Sequence, residues 1–273
     1  MTDAARFLPL LLDFIQRAGG VAMGFQDQGI QSFKSDKAPV TAADLAISKM
    51  FAEFIRTLPD AAAHFVIDEE ACGTVSGAQA AWQKAKYVWV IDPIDGTTPF
   101  AHGLPLWGTM IALFKNNQPV LGIISNPALD EIVYTDTVQT TYVNRKTGIT
   151  KELGVVEPQP LHRSSLVFGS NWLCDFDCEP VLFMDLHAAA VITMYAVLGR
   201  CRAAFFGPPM SLWDLAITLP FAKATGLELM RVRDGQSAHV LTDITIEDNW
   251  KPKDLFVFCH PTQFDELRKL PKA

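Results

Sequence analysis

The stretch Trp89-Val90-Ile91-Asp92-Pro93-Ile94-Asp95-Gly96-Thr97-Thr98-Pro99-Phe100 runs from an apolar segment into two carboxylates and a turn. Aromatic and β-branched residues up to Ile91 predict a buried strand. Pro93 fixes the backbone after Asp92, and Gly96 permits a close approach of main chain to a ligand. Carboxylates delivered at a strand end in this way suit a hard divalent cation such as Mg2+. Asp95-Gly96-Thr97 would then open a short helix whose free N–H groups can hold phosphate oxygens. Asp, Pro and Gly are also ordinary turn residues, so this run taken alone reads equally well as a surface turn.

Working outward, short apolar runs at 64–67, 108–114, 120–124 and 131–134 carry the same strand signal. The first ends in Asp68-Glu69-Glu70, so two strands deliver acids at their ends, where α/β folds assemble ligand sites. Upstream, Leu8, Leu11, Leu12, Ile15 and Ala18 recur at helical spacing before Gly19-Gly20, which predicts an opening amphipathic helix stopped by the glycine pair. A second helix is predicted from Thr41 or Ala42 to about Leu58, with Asp44 in its first turn and Pro59 beyond it. Residues 33–39 between them are polar and contain Pro, and read as a loop. The stretch 152–160 is broken by Glu and Pro and marks a junction between an N-terminal α+β half, 1–155, and a C-terminal α/β half, 156–273. In the second half, strands at 166–168, 203–206, 228–232 and 254–259 alternate with helices near 180–198 and 212–224. Periodicity alone therefore gives a mixed α/β fold.

Composition narrows the function classes. A chain of 273 residues that is 49% hydrophobic can bury a substantial core and is neither disordered nor fibrous. The net charge is −7 and the 23 Lys and Arg are scattered, so no basic stripe exists for a nucleic-acid backbone. A small phosphorylated metabolite stays compatible, since bound cations can supply the missing positive charge. The cysteines, Cys72, Cys174, Cys178, Cys201 and Cys259, are odd in number and widely spaced, which suggests no disulfide framework and fits a reducing, cytoplasmic setting. Cys174 and Cys178 with His162 or His187 would make only an incomplete zinc set, and ordinary thiols are the simpler reading. The apolar run at 8–15 is interrupted by Pro9 and Asp13, unlike a signal peptide, and no stretch reaches membrane-spanning length.

Asp92-Pro93-Ile94-Asp95-Gly96-Thr97, with Phe100 after it, resembles the signature of the inositol monophosphatase family. Three further matches follow the family's order: Lys34 followed by Pro39-Val40-Thr41-Ala42-Ala43-Asp44, then Asp68-Glu69-Glu70, then Leu212-Trp213-Asp214-Leu215-Ala216. The resemblance implies a layered αβαβα sandwich of the inositol monophosphatase and fructose-1,6-bisphosphatase type, assembled as a homodimer. It also implies Mg2+-dependent, lithium-sensitive hydrolysis of a small phosphate monoester. Glu69, Asp92, Asp95, the main-chain carbonyl of Ile94 and Asp214 would hold the metal, and Gly96 and Thr97 would meet the phosphate. Thr97 paired with Asp44 would position and activate the attacking water, and Lys34 would stand near the metal. Such a cluster of acids repels itself, so cations or raised pKa values must compensate. Plainer readings exist for single residues: Asp44 also favours a helix dipole, Glu70 and Lys34 also read as solvated, and Trp213 reads as packing.

The sequence departs from the family at four places. Pro99 stands where the family has Asn; a first-turn proline spares the helix but biases Thr98 away from helical angles. Residues 136–142 replace a glycine-rich stretch and read as extended strand or loop. Gly207, seven positions before Asp214, stands where inositol-selective relatives carry a Glu that can bond substrate hydroxyls. His187 stands where the family has Gly, and either lines the substrate pocket or is a packed helix residue. These changes predict that inositol 1-phosphate is not strongly preferred, which keeps histidinol-phosphate phosphatase, fructose-1,6-bisphosphatase and nucleotide 3′-phosphatase as alternatives. A non-catalytic phospho-ligand-binding protein is a further alternative, disfavoured because every expected metal acid, Thr97 and Asp44 are kept.

Overall fold

The computed structural model describes residues 2–28, 32–33, 39–169, 179–207 and 210–271. Lys34, Cys174 and Cys178 lie outside the described residues. Helix α1 (Asp3–Phe25) begins at Thr2, whose hydroxyl accepts from Ala5 N at 3.1 Å. It runs straight through the glycine pair expected to stop it. A Cβ on Gly19 would come within 3.1 Å of Pro127 Cγ, so this glycine serves close packing rather than helix termination. A short pair of strands, β1 (Ser32–Phe33) and β2 (Pro39–Val40), precedes α2 (Ala42–Thr57), which ends as the coming Pro59 predicts.

The first sheet has seven strands in chain order: β3 (His64–Asp68), β4 (Tyr87–Asp95), β5 (Gly108–Lys115), β6 (Gln118–Asn126), β7 (Glu131–Thr135), β8 (Thr140–Asn144) and β9 (Ile149–Leu153). Only β3 and β4 are parallel, joined through α3 (Val75–Lys84), which the sequence reading did not foresee. Helix α4 (Thr97–Ala101) follows β4 and accommodates Pro99 as its third residue. The second sheet has the order β11-β10-β12-β15-β13-β14, built from β10 (Leu166–Gly169), β11 (Leu182–Asp185), β12 (Ala203–Phe206), β13 (Glu228–Arg231), β14 (Ser237–Ala238) and β15 (Phe256–Cys259). Helices α5 (Ala189–Val197), α6 (Leu212–Ala216) and α7 (Thr218–Thr225) belong to this half, and α8 (Phe264–Leu267) comes near its end. The helix expected near 180–198 is thus a strand followed by a shorter helix. The start of that stretch pairs with β10 along its edge, a tertiary contact that overrides local propensity.

Both faces of the central strands are buried, which explains their almost continuous apolar runs. Tyr87, Trp89 and Ile91 of β4 pack under α1 and α2, while Val88 and Val90 face α5, α6 and α7. Those three helices also cover Ala204 and Phe206 of β12, and Phe205 and Val257 on the far side meet Phe264 and Leu267. The layers therefore run helix, sheet, helix, sheet, helix. Glycines let the middle helices approach the first sheet: a Cβ on Gly122 would lie 2.6 Å from Pro220, and one on Gly108 would lie 3.0 Å from Ala190. Helix α5 is also anchored at its far end. Arg200 just beyond it pairs with buried Glu131 of β7 at 3.2 Å, and the Tyr142 hydroxyl donates to the same carboxylate oxygen at 2.5 Å. No helix among the described residues is long and apolar enough to cross a membrane.

Candidate active site

Asp92 and Asp95 sit three positions apart, so a regular strand would send them to opposite faces. The pairing of β4 with β5 resolves this. Asp92 lies opposite Met110 but Asp95 lies opposite Gly108, so three steps on one strand match two on the other. This one-residue bulge turns Asp95 toward the face that Val88, Val90 and Asp92 share. Thr109 Oγ1 holds the bulge by donating to the Pro93 carbonyl at 2.8 Å.

Asp214 arrives from the other half. It is the third residue of α6, where its Oδ2 accepts from Ser211 N at 2.7 Å in a capping box. Asp44 occupies the same position in α2, accepting from Thr41 N at 2.7 Å, and is wholly buried. Two aspartates are thus held rigidly by helix starts rather than by flexible loops. Ligand oxygens of Asp92, Asp95 and Asp214 all lie within 4.8 Å of one another, and all three residues are buried. Glu69 follows β3, with its N–H donating to the Ile91 carbonyl at 3.3 Å, and its carboxyl interacts with Asp92. Asp68 has a different part: it accepts from Ser48 Oγ at 2.7 Å and from Glu70 N at 2.9 Å, tying β3 to α2.

The electrostatics follow from this crowding. Burial, reinforced by the charges of Glu69, Asp95 and Asp214, pushes the Asp92 carboxyl well above the usual carboxylate range. Burial likewise raises Asp95 to about 7, although the N–H groups of Ala190 and Ala189 favour its ionised form. Asp92 Oδ1 is buried with no hydrogen-bond partner. Three clustered carboxylates, one with an unsatisfied oxygen, fit a hard divalent cation, which would replace the protons and satisfy that atom.

Beside the acids, Gly96 has φ of +83°. A Cβ there would lie 2.7 Å from the Leu106 carbonyl oxygen and 2.9 Å from Ala188 Cβ, so only glycine fits. The Thr97 hydroxyl donates to the Ile94 carbonyl at 3.1 Å. His187 is not a packed helix residue: it precedes α5 with φ of +52°, its side chain is 55% exposed, and its N–H donates to Asp185 Oδ1 at 3.0 Å. A left-handed backbone at this point accounts for the preference for glycine there. Gly207 follows β12 in a buried position, and its carbonyl accepts from Met210 N at 2.9 Å. Sequence reasoning missed the N–H of Ala190, which donates to Asp95 Oδ2 at 2.6 Å. Small residues at 188–190 were the one available signal.

The inositol monophosphatase family model matches residues 15–257. The chain belongs to that family. Among its relatives, the histidinol-phosphatase of Chlorobaculum parvum is 34% identical over 231 residues, 80% of this chain and 83% of that protein. The inositol-1-monophosphatase of Mesorhizobium japonicum is 30% identical over 184 residues, and the match spans 65% of this chain and 65% of that protein. The fold is that of the solved Thermotoga maritima IMPase, with a TM-score of 0.76, 22% identity, and 96% and 95% of the two chains covered. The family relatives are phosphatases, and the αβαβα sandwich expected from the motifs is the architecture of this inositol monophosphatase family member.

Proposed function

We propose that the chain is a Mg2+-dependent phosphomonoesterase acting on a small phosphorylated metabolite. The observation that carries this reading is the buried cluster of Asp92, Asp95 and Asp214 with the unsatisfied Asp92 Oδ1. Together with Glu69 and the Ile94 carbonyl, these oxygens would hold the cation. Bound there, Mg2+ supplies Lewis acidity toward the phosphoryl oxygens and makes a water nucleophile accessible near neutral pH. The chain's own residues do the rest. Gly96 and the N–H groups that open α4 would place the phosphate against the acids. Thr97 and Asp44 orient the attacking water, and Asp44 receives its proton. The capping box fixes the Asp44 carboxylate, whose Oδ2 accepts from Thr41 N at 2.7 Å.

The leaving alcohol would lie against the second half. Gly207 offers no side chain for sugar hydroxyls, and exposed His187 stands at the edge of that region. We therefore propose that inositol 1-phosphate is not strongly preferred, and the histidinol-phosphatase relative makes histidinol phosphate the leading alternative, ahead of fructose 1,6-bisphosphate and nucleotide 3′-phosphates. The proposed setting is cytoplasmic, the assembly a homodimer, and the activity sensitive to Li+ competing for a Mg2+ position.

The test is phosphate release by EDTA-treated protein with and without Mg2+, across inositol 1-phosphate, histidinol phosphate, fructose 1,6-bisphosphate and adenosine 3′,5′-bisphosphate. Release that needs Mg2+ is expected. Tight binding of these compounds with no turnover would instead support a non-catalytic binding protein, and a preference of about a hundredfold for inositol 1-phosphate would sink the substrate inference.

A further inference from the structure

Trp250 has φ of +67°, rare for so bulky a residue, and is 2% exposed. Backbone strain of this kind persists only where surroundings over-determine it. Here the surroundings are two segments that each carry an acid of the site. The Trp250 indole N–H donates to the Gly73 carbonyl at 2.6 Å, in the segment that leads from the turn at Glu69 into α3. Its main-chain carbonyl accepts from Leu212 N at 2.8 Å, the first N–H of the helix that holds Asp214. One residue thus bonds to the segment after Glu69 with its side chain and to the Asp214 helix with its backbone.

Neighbouring contacts tighten the same grip. The ring packs on Trp82 of α3 with centroids 5.8 Å apart. Asp248, two residues earlier, takes the start of α3: Val75 N donates to its carbonyl at 2.9 Å and Ser76 N to its Oδ1 at 2.7 Å. These bonds join residues more than 170 positions apart in the chain. A turn that carries none of the proposed metal acids therefore ties together two elements that carry one each, Glu69 and Asp214.

We propose that Trp250 is a positioning residue that sets the spacing between Glu69 and Asp214, and through it the affinity for the divalent cation. The inference rests on the metal-site reading above. Trp250→Phe keeps an aromatic ring beside Trp82 and removes the donor to Gly73 together with part of the ring volume, so a second variant that loses core packing elsewhere is needed to separate the brace from general packing. The experiment is a Mg2+ titration of metal-free protein followed by thermal shift, on wild type, Trp250→Phe and Phe264→Leu. Phe264 packs on the far face of the second sheet and provides a loss of core stability away from the site.

Trp250→Phe should raise the half-saturating Mg2+ concentration about tenfold, the scale of a lost outer partner of a metal ligand. Phosphate release by this variant should recover at saturating Mg2+. Phe264→Leu should lower Tm and leave half-saturation in place. If wild type shows no Mg2+-dependent shift, the metal-site reading fails and this inference falls with it. If wild type shifts and Trp250→Phe titrates identically, the brace alone is overturned. Should Trp250→Phe not fold in plain buffer, the same titration is run on it and on wild type in a stabilising osmolyte; a raised half-saturation supports the proposal and an unchanged one overturns it.

Discussion

Asp95 Oδ2 accepts a hydrogen bond of 2.6 Å from Ala190 N, so a carboxylate at the end of the first sheet caps a helix of the second half. The bond needs an acceptor oxygen, whereas the proposed cation needs the charge. Asp95→Asn keeps the first and removes the second. Circular dichroism should show a folded protein, and Mg2+-dependent phosphate release should fall by about a hundredfold or more. Near-wild-type turnover at ordinary Mg2+ would contradict the assignment of Asp95 as a ligand.

Acidity and metal binding should be linked in a definite direction. Metal-free folded protein keeps protons on Asp92 and Asp95 that the unfolded chain releases near pH 4. The corresponding stability is complete below that pH and is lost as pH rises through the Asp95 value of about 7. Mg2+ requires the ionised acids, so its stabilising effect should grow over the same range. Thermal melts from pH 5 to 8 with EDTA or Mg2+ would check this, and a Mg2+ benefit that shrinks with pH would refute it.

At Gly96 the left-handed backbone and the Leu106 carbonyl leave no space for a methyl group. Gly96→Ala should cost about 1–3 kcal/mol, the range for strain at such positions. Urea unfolding of the variant measures it. A loss within error of zero would mean the turn relaxes freely.

His64 provides an acid-side counterpart far from the metal cluster. Trp89 Nε1 donates to its Nδ1 at 2.8 Å, so that nitrogen must be unprotonated. Burial, the leading cause, pushes the His64 pKa below its ordinary value near 6.5. Stability from the neutral ring is present above that value and is lost as pH falls through the lower folded one. Acidification below about pH 6, where imidazole charges, should therefore subtract from the wild-type Tm, against the gain from Asp92 and Asp95. His64→Asn, which can still accept from Trp89, should lose less; equal losses would clear His64 of the effect.

How much of this was legible beforehand depended on whether the signal was local. Asp92, Asp95 and Asp214 could be picked out because each sits in a short motif with fixed neighbours, and helix α2 because Thr41, its apolar stripe and Pro59 all mark it. The β4 strand followed from the same kind of clue, whereas the five-layer arrangement came only from the family resemblance, periodicity alone giving a mixed α/β fold. The bulge that brings Asp92 and Asp95 to one face was not readable, since it is defined by the register against Met110 and Gly108. Gly19-Gly20 misled for a similar reason: Pro127, which packs close against Gly19, is distant in sequence. Trp250 gave no sign at all, because the two bonds that make it a brace, to Gly73 and Leu212, reach residues remote in the chain.

Helix α5 is pinned at its start by Asp95 and at its end through Arg200 to Glu131, both acids of the first sheet. Although the helix is encoded in the second half of the chain, it is fastened to the first. Neither sheet can therefore be excised as a free-standing module. A chain cut in the connection around 154–159 should yield fragments that are insoluble apart yet recover phosphatase activity when refolded together, because the proposed site draws Asp95 from one fragment and Asp214 from the other.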